Sequence, residues 1–427
     1  MESMYSRRTF LKLAGLTAGA VGLGACAPSS DDEGAKTPQK SDSTPTNFSL
    51  AAWTLADDLS KAGVQGLMTA YAAEKSIEIT PVPIAFPDYV NQLTLKVRAN
   101  QFAGAAQLDI AWLSGIAALG KLRDLGSYAD GAGYTETALT SGQLDGKQYG
   151  LPWTTGAIGM IVNQKALNAV GIDTLPTKID DFEAALAEIK GSGLIPYAAS
   201  TKVAQLKDIL IWMQTFGSEL IDGDEVTIGD DASVEAVAWY KGLYDKKLIA
   251  PDVERIDART LFAQGKAAMY DDAIVGKDVV VKEAADKDLI NQIAPAPRPV
   301  VKDGDKPRTQ QWGHIAVVVE GEGADTASDF AKWATSDTDA VLKYFETVSL
   351  PPTTEEALGS DVVKNDKFTT AFSESITATA TPNPFWRFPQ YAQMETVVSE
   401  HVQSVLIGRA SPEEALGKAK AAVQALV

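Results

Sequence analysis

The chain has 427 residues, of which 45% are hydrophobic and 22% are charged, and its formal net charge is −18 at pH 7. This composition is that of a globular protein, and the length exceeds what one hydrophobic core usually supports, so we expect two lobes. Nucleic acid and anionic membrane surfaces would both repel such a charge, which argues against them as partners of the folded body.

The first 25 residues have the features of an export signal. Residues 6–12 read Ser-Arg-Arg-Thr-Phe-Leu-Lys, a twin-arginine motif, and the apolar run that follows is too short and too rich in Gly and Ala for a membrane span. The run ends in Leu-Gly-Ala before Cys26, a pattern that resembles the lipidation site of bacterial lipoproteins. Because Cys26 is the only cysteine, we predict that it carries a lipid and anchors the protein to the outer face of the cell membrane.

A polar segment separates this signal from the first regular elements. Residues 26–46 contain no large apolar side chain to bury and predict a flexible tether. From Phe48, apolar residues alternate as in a strand, and residues 59–75 carry the apolar stripe of a helix. Alternation resumes over residues 77–86, up to Phe86, a second helix is predicted over residues 90–102, and residues 108–113 predict a short buried strand.

This succession of strands and helices predicts an α/β fold with a mainly parallel sheet. It continues after Tyr149, and the last helix has a clear start in Ser411-Pro412-Glu413-Glu414, which combines a capping Ser, Pro at the first helical position and Glu three residues after the cap.

The sequence offers few residues for catalysis. His314 and His401 are the only histidines, and neither has a second ligand-type residue at a metal-binding spacing, so each is interpreted as a satisfied or solvent-facing histidine. No Gly-x-Ser-x-Gly elbow, phosphate-binding loop or dinucleotide-binding glycine pattern occurs. Asp271 and Asp272 are neighbours in strand-like sequence and would face opposite sides, which argues against shared catalysis. We therefore expect no enzymatic activity, no metal and no cofactor.

The tryptophans are more informative. Six of them lie at or near predicted strand ends, turns or proline-flanked loops: Trp53, Trp112, Trp153, Trp212, Trp312 and Trp386. Ligands of open α/β sheets bind beyond the carboxyl ends of the strands, and an indole ring beside Asp, Asn or Thr suits the apolar face and hydroxyl rim of a sugar. Any single tryptophan is more often a core residue.

Segments along the chain resemble the extracellular solute-binding proteins of family 1, the maltose-binding-like group that serves carbohydrate ABC importers. They are residues 51–53 (Ala-Ala-Trp), 83–89 with Asp88 and Tyr89, 108–112 (Leu-Asp-Ile-Ala-Trp), 145–153, 162–167, 261–269, 349–352, 384–386 (Pro-Phe-Trp) and 408–416. The resemblance covers the chain from Phe48 to its end.

The resemblance implies two α/β lobes joined by three chain crossings, with the ligand in the cleft between them. Lobe one would hold residues 47–152 and 313–350, and lobe two residues 153–310 and 351–427. A ligand that contacts both lobes would favour the closed state, which the importer permease recognises. We expect the protein to act as a monomer.

The resemblance also implies a set of ligand contacts. They are Trp53, Asp57, Asp88, Tyr89, Asp109, Trp112, Trp153, Thr155, Tyr270, Asp271, Trp312 and Trp386. Many relatives carry a stacking ring where this chain reads Tyr270-Asp271-Asp272-Ala273, so Tyr270 or Trp312 would substitute for it. Where relatives tend to have paired glycines, the bulk of Trp312 should narrow the cleft and favour a small or specifically shaped ligand.

Two alternatives to a sugar receptor stay open from the sequence. The same fold could bind a polyamine, a peptide or an osmolyte, and Tyr270, Asp271 and Asp272 could form part of an acidic aromatic box for a cation. A secreted glycoside hydrolase with two carboxylates is the other alternative, although nothing in the sequence requires it.

Overall fold

A computed structural model of the protein describes residues 44–427. The predicted signal peptide, the lipidated Cys26 and the tether up to residue 43 lie outside the described residues. The described residues belong to one compact unit, and none of their helices is long and apolar enough to span a bilayer.

Thirteen strands lie in the described part of the chain, and nine of them form one sheet. The strands are β1 (Phe48–Ala52), β2 (Ile79–Pro83), β3 (Gly104–Asp109), β4 (Gln143–Leu144), β5 (Lys147–Gln148), β6 (Gly150–Asn163), β7 (Ile195–Ala198), β8 (Ile221–Asp222), β9 (Glu225–Val226), β10 (Ala267–Asp272), β11 (Ile293–Ala296), β12 (Thr309–Val319) and β13 (Ala380–Thr381). The sheet order is β2-β1-β3-β12-β6-β10-β7, with β11 paired to β6 and β13 to β12.

Two long strands link the halves of this sheet. In one half β1 runs parallel to β2 and β3, and in the other β7 runs parallel to β10. Strand β6 pairs with β12 up to Ile158 and then with β10 from Gly159, so it passes from one half to the other. Strand β12 runs antiparallel to both β3 and β6.

Eighteen α-helices of the described residues flank the sheet. They are α1 (Lys61–Lys75), α2 (Phe86–Arg98), α3 (Leu113–Ala117), α4 (Gly126–Ala129), α5 (Glu136–Thr140), α6 (Gln164–Asn168), α7 (Ile179–Gly191), α8 (Ile209–Phe216), α9 (Asp231–Asp245), α10 (Arg255–Ala263), α11 (Gly276–Glu283), α12 (Ala324–Ser336), α13 (Thr338–Val348), α14 (Glu355–Leu358), α15 (Asp361–Lys364), α16 (Lys367–Ser375), α17 (Tyr391–Leu406) and α18 (Pro412–Gln424). The predicted start of α18 is confirmed, because the Ser411 hydroxyl accepts from the Glu414 backbone N–H.

Apolar side chains cover both faces of the sheet, as a mixed α/β fold requires. Adjacent residues of β3 belong to different buried clusters, Ala105 on one face and Ala106 on the other, and Val317 and Val318 of β12 divide in the same way. Strands buried on both faces read as nearly continuous apolar runs, which is why residues 315–319 contain no polar side chain. The predicted α/β class is confirmed.

Three local predictions are wrong. The buried strand predicted over residues 108–113 lies earlier in the chain, because β3 spans Gly104–Asp109 and a 3-10 helix follows over Ile110–Trp112. Phe86 does not end a strand, because β2 stops at Pro83 and α2 begins at Phe86, with Pro87 in its first turn. Trp212 does not lie near a strand end, because it is a buried residue of α8 whose ring packs on Trp239. Apolar spacing over a few residues does not distinguish strand from helix or fix where either begins.

Candidate functional site

Six rings gather beyond the carboxyl ends of β1 and β3. They are Trp53, Phe86, Tyr89, Trp112, Trp312 and His314, which we call the aromatic group. The centre of the Trp53 ring lies 5.1 Å from that of Tyr89, 5.2 Å from that of Trp112 and 4.8 Å from that of His314. The rings meet mostly edge to face, which is a favourable arrangement for aromatic pairs. Trp112 and Trp312 are partly exposed, so part of the group is accessible from outside.

A buried carboxylate lies at the edge of the aromatic group. Asp109, the last residue of β3, accepts the Ala111 backbone N–H at 2.9 Å and the Trp312 Nε1–H at 3.1 Å. Burial raises the pKa of Asp109 to about 6, against the lowering effects of the Ala111 N–H and of Lys207. When Asp109 is ionised, its charge is compensated by the Ala111 and Trp312 N–H groups and by the nearby Lys207. Two hydrogen bonds do not use all the acceptor positions of a carboxylate, so Asp109 can also accept from a ligand hydroxyl.

His314 is held as a neutral ring within the same group. Its Nδ1 lies 3.1 Å from the amide nitrogen of Gln107, whose oxygen accepts from the Thr54 hydroxyl at 2.8 Å. Burial lowers the pKa of His314 to about 3, so the ring carries no charge at neutral pH. This agrees with its interpretation as a satisfied histidine.

Glu395 organises the opposite side of the site. Its carboxylate accepts from Trp386 Nε1 at 2.9 Å and from Asn383 Nδ2 at 2.9 Å, and it pairs with Lys207 Nζ at 3.1 Å. Glu395 raises the pKa of Lys207, and Asp109 adds to that effect. Lys207 thus interacts with two carboxylates, that of Asp109 beside the aromatic group and that of Glu395, which holds Trp386.

A pocket of about 350 Å³ lies beside Trp386, lined by residues from both predicted lobes. Its polar side chains are mostly uncharged: Ser114, Thr140, Ser141, Gln143, Gln311 and Asn383. The one charged residue of the lining is Arg387, which already bonds to the backbone oxygen of Gly223 and to Asp224. Hydroxyl and amide groups offer both donors and acceptors, so this lining suits a neutral, hydroxyl-rich ligand.

The other predicted contact residues on the first strands and on β6 differ in exposure. Asp57 is exposed and accepts from the Ser60 hydroxyl at the start of α1, and Asp88 is exposed in the first turn of α2. The Tyr89 ring is part of the group, but its hydroxyl is fully buried and donates to the Ala51 carbonyl. Thr155 is partly exposed on β6, where its N–H donates to the Pro351 carbonyl.

Trp153 and Tyr270 lie in the hydrophobic interior and not with the aromatic group. Trp153 is 1% exposed, and its ring packs 5.2 Å from that of Tyr344. Tyr270 is fully buried against Phe262. Both side chains project from strands that are covered on both faces, and the sequence alone does not say which strand positions reach the cleft.

Asp271 and Asp272 are each neutralised by arginine. Asp271 pairs with the buried Arg298 and accepts from the Tyr197 hydroxyl, whereas Asp272 forms a two-point bond with Arg259 at 2.6 and 2.9 Å. Their different partners confirm that the two carboxylates face opposite sides of β10. Neither is free to balance the charge of a cationic ligand, which removes the basis for the acidic aromatic box.

The structure adds residues that sequence reasoning missed. Phe86, Lys207, Asn383 and Glu395 all join the site or orient its rings. Asn383 could have been found, because it directly precedes the Pro-Phe-Trp segment and caps its turn by accepting from the Phe385 N–H. Lys207 and Glu395 lie within helical sequence that carries no motif.

Most of the chain matches one protein family. The sequence profile of the bacterial extracellular solute-binding proteins matches residues 66–370. The chain belongs to this family. The extracellular character of the family agrees with the predicted export of the protein, and the resemblance derived from the sequence is confirmed.

Two relatives and one solved structure resemble the chain over most of its length. A binding protein of Brucella abortus (strain 2308) is 24% identical over 356 residues, 79% of this chain and 83% of its own. The maltotriose-binding protein of Pyrococcus abyssi is 21% identical over 316 residues, 71% of this chain and 67% of its own. The GacH receptor of Streptomyces glaucescens, solved unliganded and with acarbose, superposes with a TM-score of 0.79 at 22% identity, covering 90% of this chain and 98% of the receptor. The two-lobed binding-protein fold is thereby confirmed.

Proposed function

We propose that this solute-binding protein captures a sugar or a small oligosaccharide between its lobes and delivers it to an ABC importer. The ligand would contact the exposed parts of Trp112 and Trp312, the Asp109 carboxylate, Lys207 and Trp386, with Trp53 and Tyr89 supporting the rings from behind. Anchoring through a lipid on Cys26 belongs to the same proposal, as do the lobe boundaries, the monomeric state and the absence of enzymatic activity.

The observation that carries the proposal is the pairing of partly exposed indole rings with a buried carboxylate at the carboxyl ends of β1 and β3. A sugar presents an apolar C–H face to a ring and hydroxyl donors to a carboxylate, so one ligand can satisfy both groups. The maltotriose-binding relative and the receptor solved with acarbose support a carbohydrate as the ligand class.

The charge pattern of the site favours a neutral ligand over a polyamine. Asp271 and Asp272 are already paired with arginines, and the pocket beside Trp386 is lined by hydroxyl and amide groups without a carboxylate. A cationic ligand would need uncompensated negative charge, which this lining does not supply.

Thermal-shift screening of the purified protein tests the proposal. Mono- and oligosaccharides are compared with spermidine, a peptide mixture and glycine betaine, because a ligand at a hundred times its dissociation constant adds about 2.7 kcal/mol of stability. We expect at least one sugar to raise the melting temperature without being converted to product. A shift by spermidine or peptide alone, or hydrolysis of the sugar, would overturn the proposal.

A matched pair of variants assigns the site. Trp112→Ala should abolish the shift by the active sugar, whereas Trp333→Ala should preserve it, because the partly exposed Trp333 ring packs on Tyr71 outside the aromatic group.

A further inference from the structure

A hydrogen bond joins the two predicted lobes beside the pocket at Trp386. The buried Ser114 hydroxyl, on α3 of lobe one, donates to the Phe388 carbonyl of lobe two at 3.0 Å. Neither residue lies at a predicted lobe boundary, so the connectivity of the chain does not hold the pair together. The bond is direct, and it needs no ligand to bridge the lobes.

The acceptor of this bond is held in place within lobe two. Residues 383–389 form the segment that precedes α17, and we call them the Trp386 turn. The Trp386 Nε1–H donates to Glu395 of α17 at 2.9 Å, and the Phe388 carbonyl also accepts the Tyr391 N–H at 3.1 Å. The Phe388 oxygen is therefore positioned whether or not lobe one is in contact with it.

Small residues let α3 approach the Trp386 turn closely. The two segments pack against each other, and a Cβ atom at Gly115 would lie 3.9 Å from the Pro389 carbonyl oxygen. Leu113 belongs to the same buried apolar cluster as Trp386. The Ser114 hydrogen bond is thus one part of a packed contact between the predicted lobes.

The contact lies on the two segments that carry proposed ligand rings. Trp112 lies two residues before Ser114, directly before α3, and Trp386 lies two residues before Phe388. A ligand that contacts both tryptophans would therefore bring together the same segments that the hydrogen bond already joins. Ligand and hydrogen bond favour the same closed arrangement of the lobes.

We propose that the hydrogen bond from Ser114 to Phe388 is a latch that shifts the ligand-free protein toward the closed state. The inference rests on the two-lobed arrangement of the proposed function and not on the identity of the ligand. One neutral hydrogen bond that competes with water changes a two-state equilibrium about fivefold. Ser114 is then a positioning residue, since it acts on the lobes and not on the ligand.

Two exposed sites suit a distance measurement across the pocket. Lys147 of β5 pairs with Leu144, which lines the pocket from lobe one. Asp222 of β8 lies between Ile221 and Gly223, which line the pocket from lobe two. Labels at Lys147 and Asp222 therefore flank the pocket from opposite predicted lobes, and their separation should increase when the lobes open.

Double electron–electron resonance of the ligand-free protein tests the latch. Spin labels are attached to Lys147→Cys and Asp222→Cys in the full chain, with Cys26→Ser to remove the one native cysteine. The ratio of the shorter to the longer distance gives the ratio of closed to open molecules. We expect Ser114→Ala to lower this ratio about fivefold. An unchanged ratio, or a single distance in both proteins, would overturn the latch.

A matched variant controls for the loss of a buried hydroxyl. The buried Ser328 hydroxyl donates to the Ala324 carbonyl at 2.8 Å within α12, so Ser328→Ala should leave the ratio unchanged. An equal change in both variants would overturn the latch. Ser114→Ala should fold, because the Phe388 carbonyl keeps its bond from the Tyr391 N–H, and thermal unfolding checks this.

Stopped-flow tryptophan fluorescence separates the latch from the proposed function. With the sugar that gives a thermal shift, Ser114→Ala should dissociate about fivefold faster without associating more slowly, because the latch also holds the liganded protein closed. An unchanged dissociation rate would overturn the latch and leave sugar binding intact. If no sugar binds the wild type, the proposed function fails, while the distance ratio still decides the latch.

Discussion

The indole Nε1–H of Trp312 donates to the Oδ2 atom of Asp109 at 3.1 Å, and this bond ties strand β12 to the end of β3. The Trp312 ring also packs near Ile158, Ile211 and Ala273 in the predicted second lobe. The Trp312 side chain thus contacts residues of both predicted lobes, and its hydrogen bond to Asp109 holds its own ring beside that carboxylate.

Replacing Trp312 by Phe should destabilise the protein. The change removes a donor to a buried carboxylate, and a hydrogen bond to a charged group contributes about 1.5–3 kcal/mol. Trp239→Phe is the matched control, because the buried Trp239 N–H has no partner among the described residues. Urea unfolding of both variants at pH 7 measures the difference, and equal losses would show that the bond to Asp109 contributes nothing.

The free energy of unfolding should depend on pH through Asp109. Its pKa is raised from 3.8 to about 6 in the folded protein, so its contribution to stability is complete below about pH 4 and is lost as pH rises through 6. Asp109→Asn lacks this dependence. Between pH 4 and pH 7 the free energy of unfolding of the wild type should therefore fall by up to about 3 kcal/mol relative to that of the variant, at about 1.4 kcal/mol per pKa unit. Parallel stability curves from urea unfolding would contradict the burial of this carboxylate.

Glu395→Gln should weaken both stability and sugar binding. The amide replaces an oxygen that pairs with Lys207, and it disturbs the acceptor that holds Trp386 and Asn383. We expect a loss of about 1.5–3 kcal/mol. Glu414→Gln breaks only an exposed pair with Lys418 and should leave the stability almost unchanged. Thermal unfolding with and without sugar checks both effects, and unchanged sugar affinity in Glu395→Gln would mean that Trp386 does not depend on it.

Arg298→Ala should be among the more damaging substitutions. It leaves the buried Asp271 carboxylate without its partner and removes the cation that lies 5.5 Å from the centre of the Trp212 ring. Breaking one side of a buried pair costs about 3–5 kcal/mol. A double change of Arg298 to Met and Asp271 to Asn should recover part of that loss. A mild effect of the single change would indicate that Asp271 is solvated and available to a ligand.

One side of the site could be predicted from the sequence, because its residues lie at the ends of predicted strands. Trp53, Asp109 and Trp112 each follow or end a strand of the same parallel set, and the carboxyl ends of parallel strands meet at one edge. Trp312 joins them because β12 pairs with β3 in a register that sets His314 opposite Asp109.

The rest of the site depends on contacts between distant parts of the chain. Glu395 comes from the first half of α17 and Lys207 from the 3-10 helix before α8, and neither position differs in pattern from a solvated helix residue. The burial of Trp153 and the pairing of Asp271 with Arg298 follow from how helices cover the sheet. The alternating run that ends at Phe86 is short, and such a run is compatible with either a strand or the start of a helix.

A crystal structure of the protein with the sugar that gives the largest thermal shift tests the central claim most directly. We predict one sugar unit packed against Trp112, with a hydroxyl donating to Asp109 and with Trp386 in contact from the other lobe. A sugar bound elsewhere on the surface, with the cleft filled only by solvent, would contradict the account.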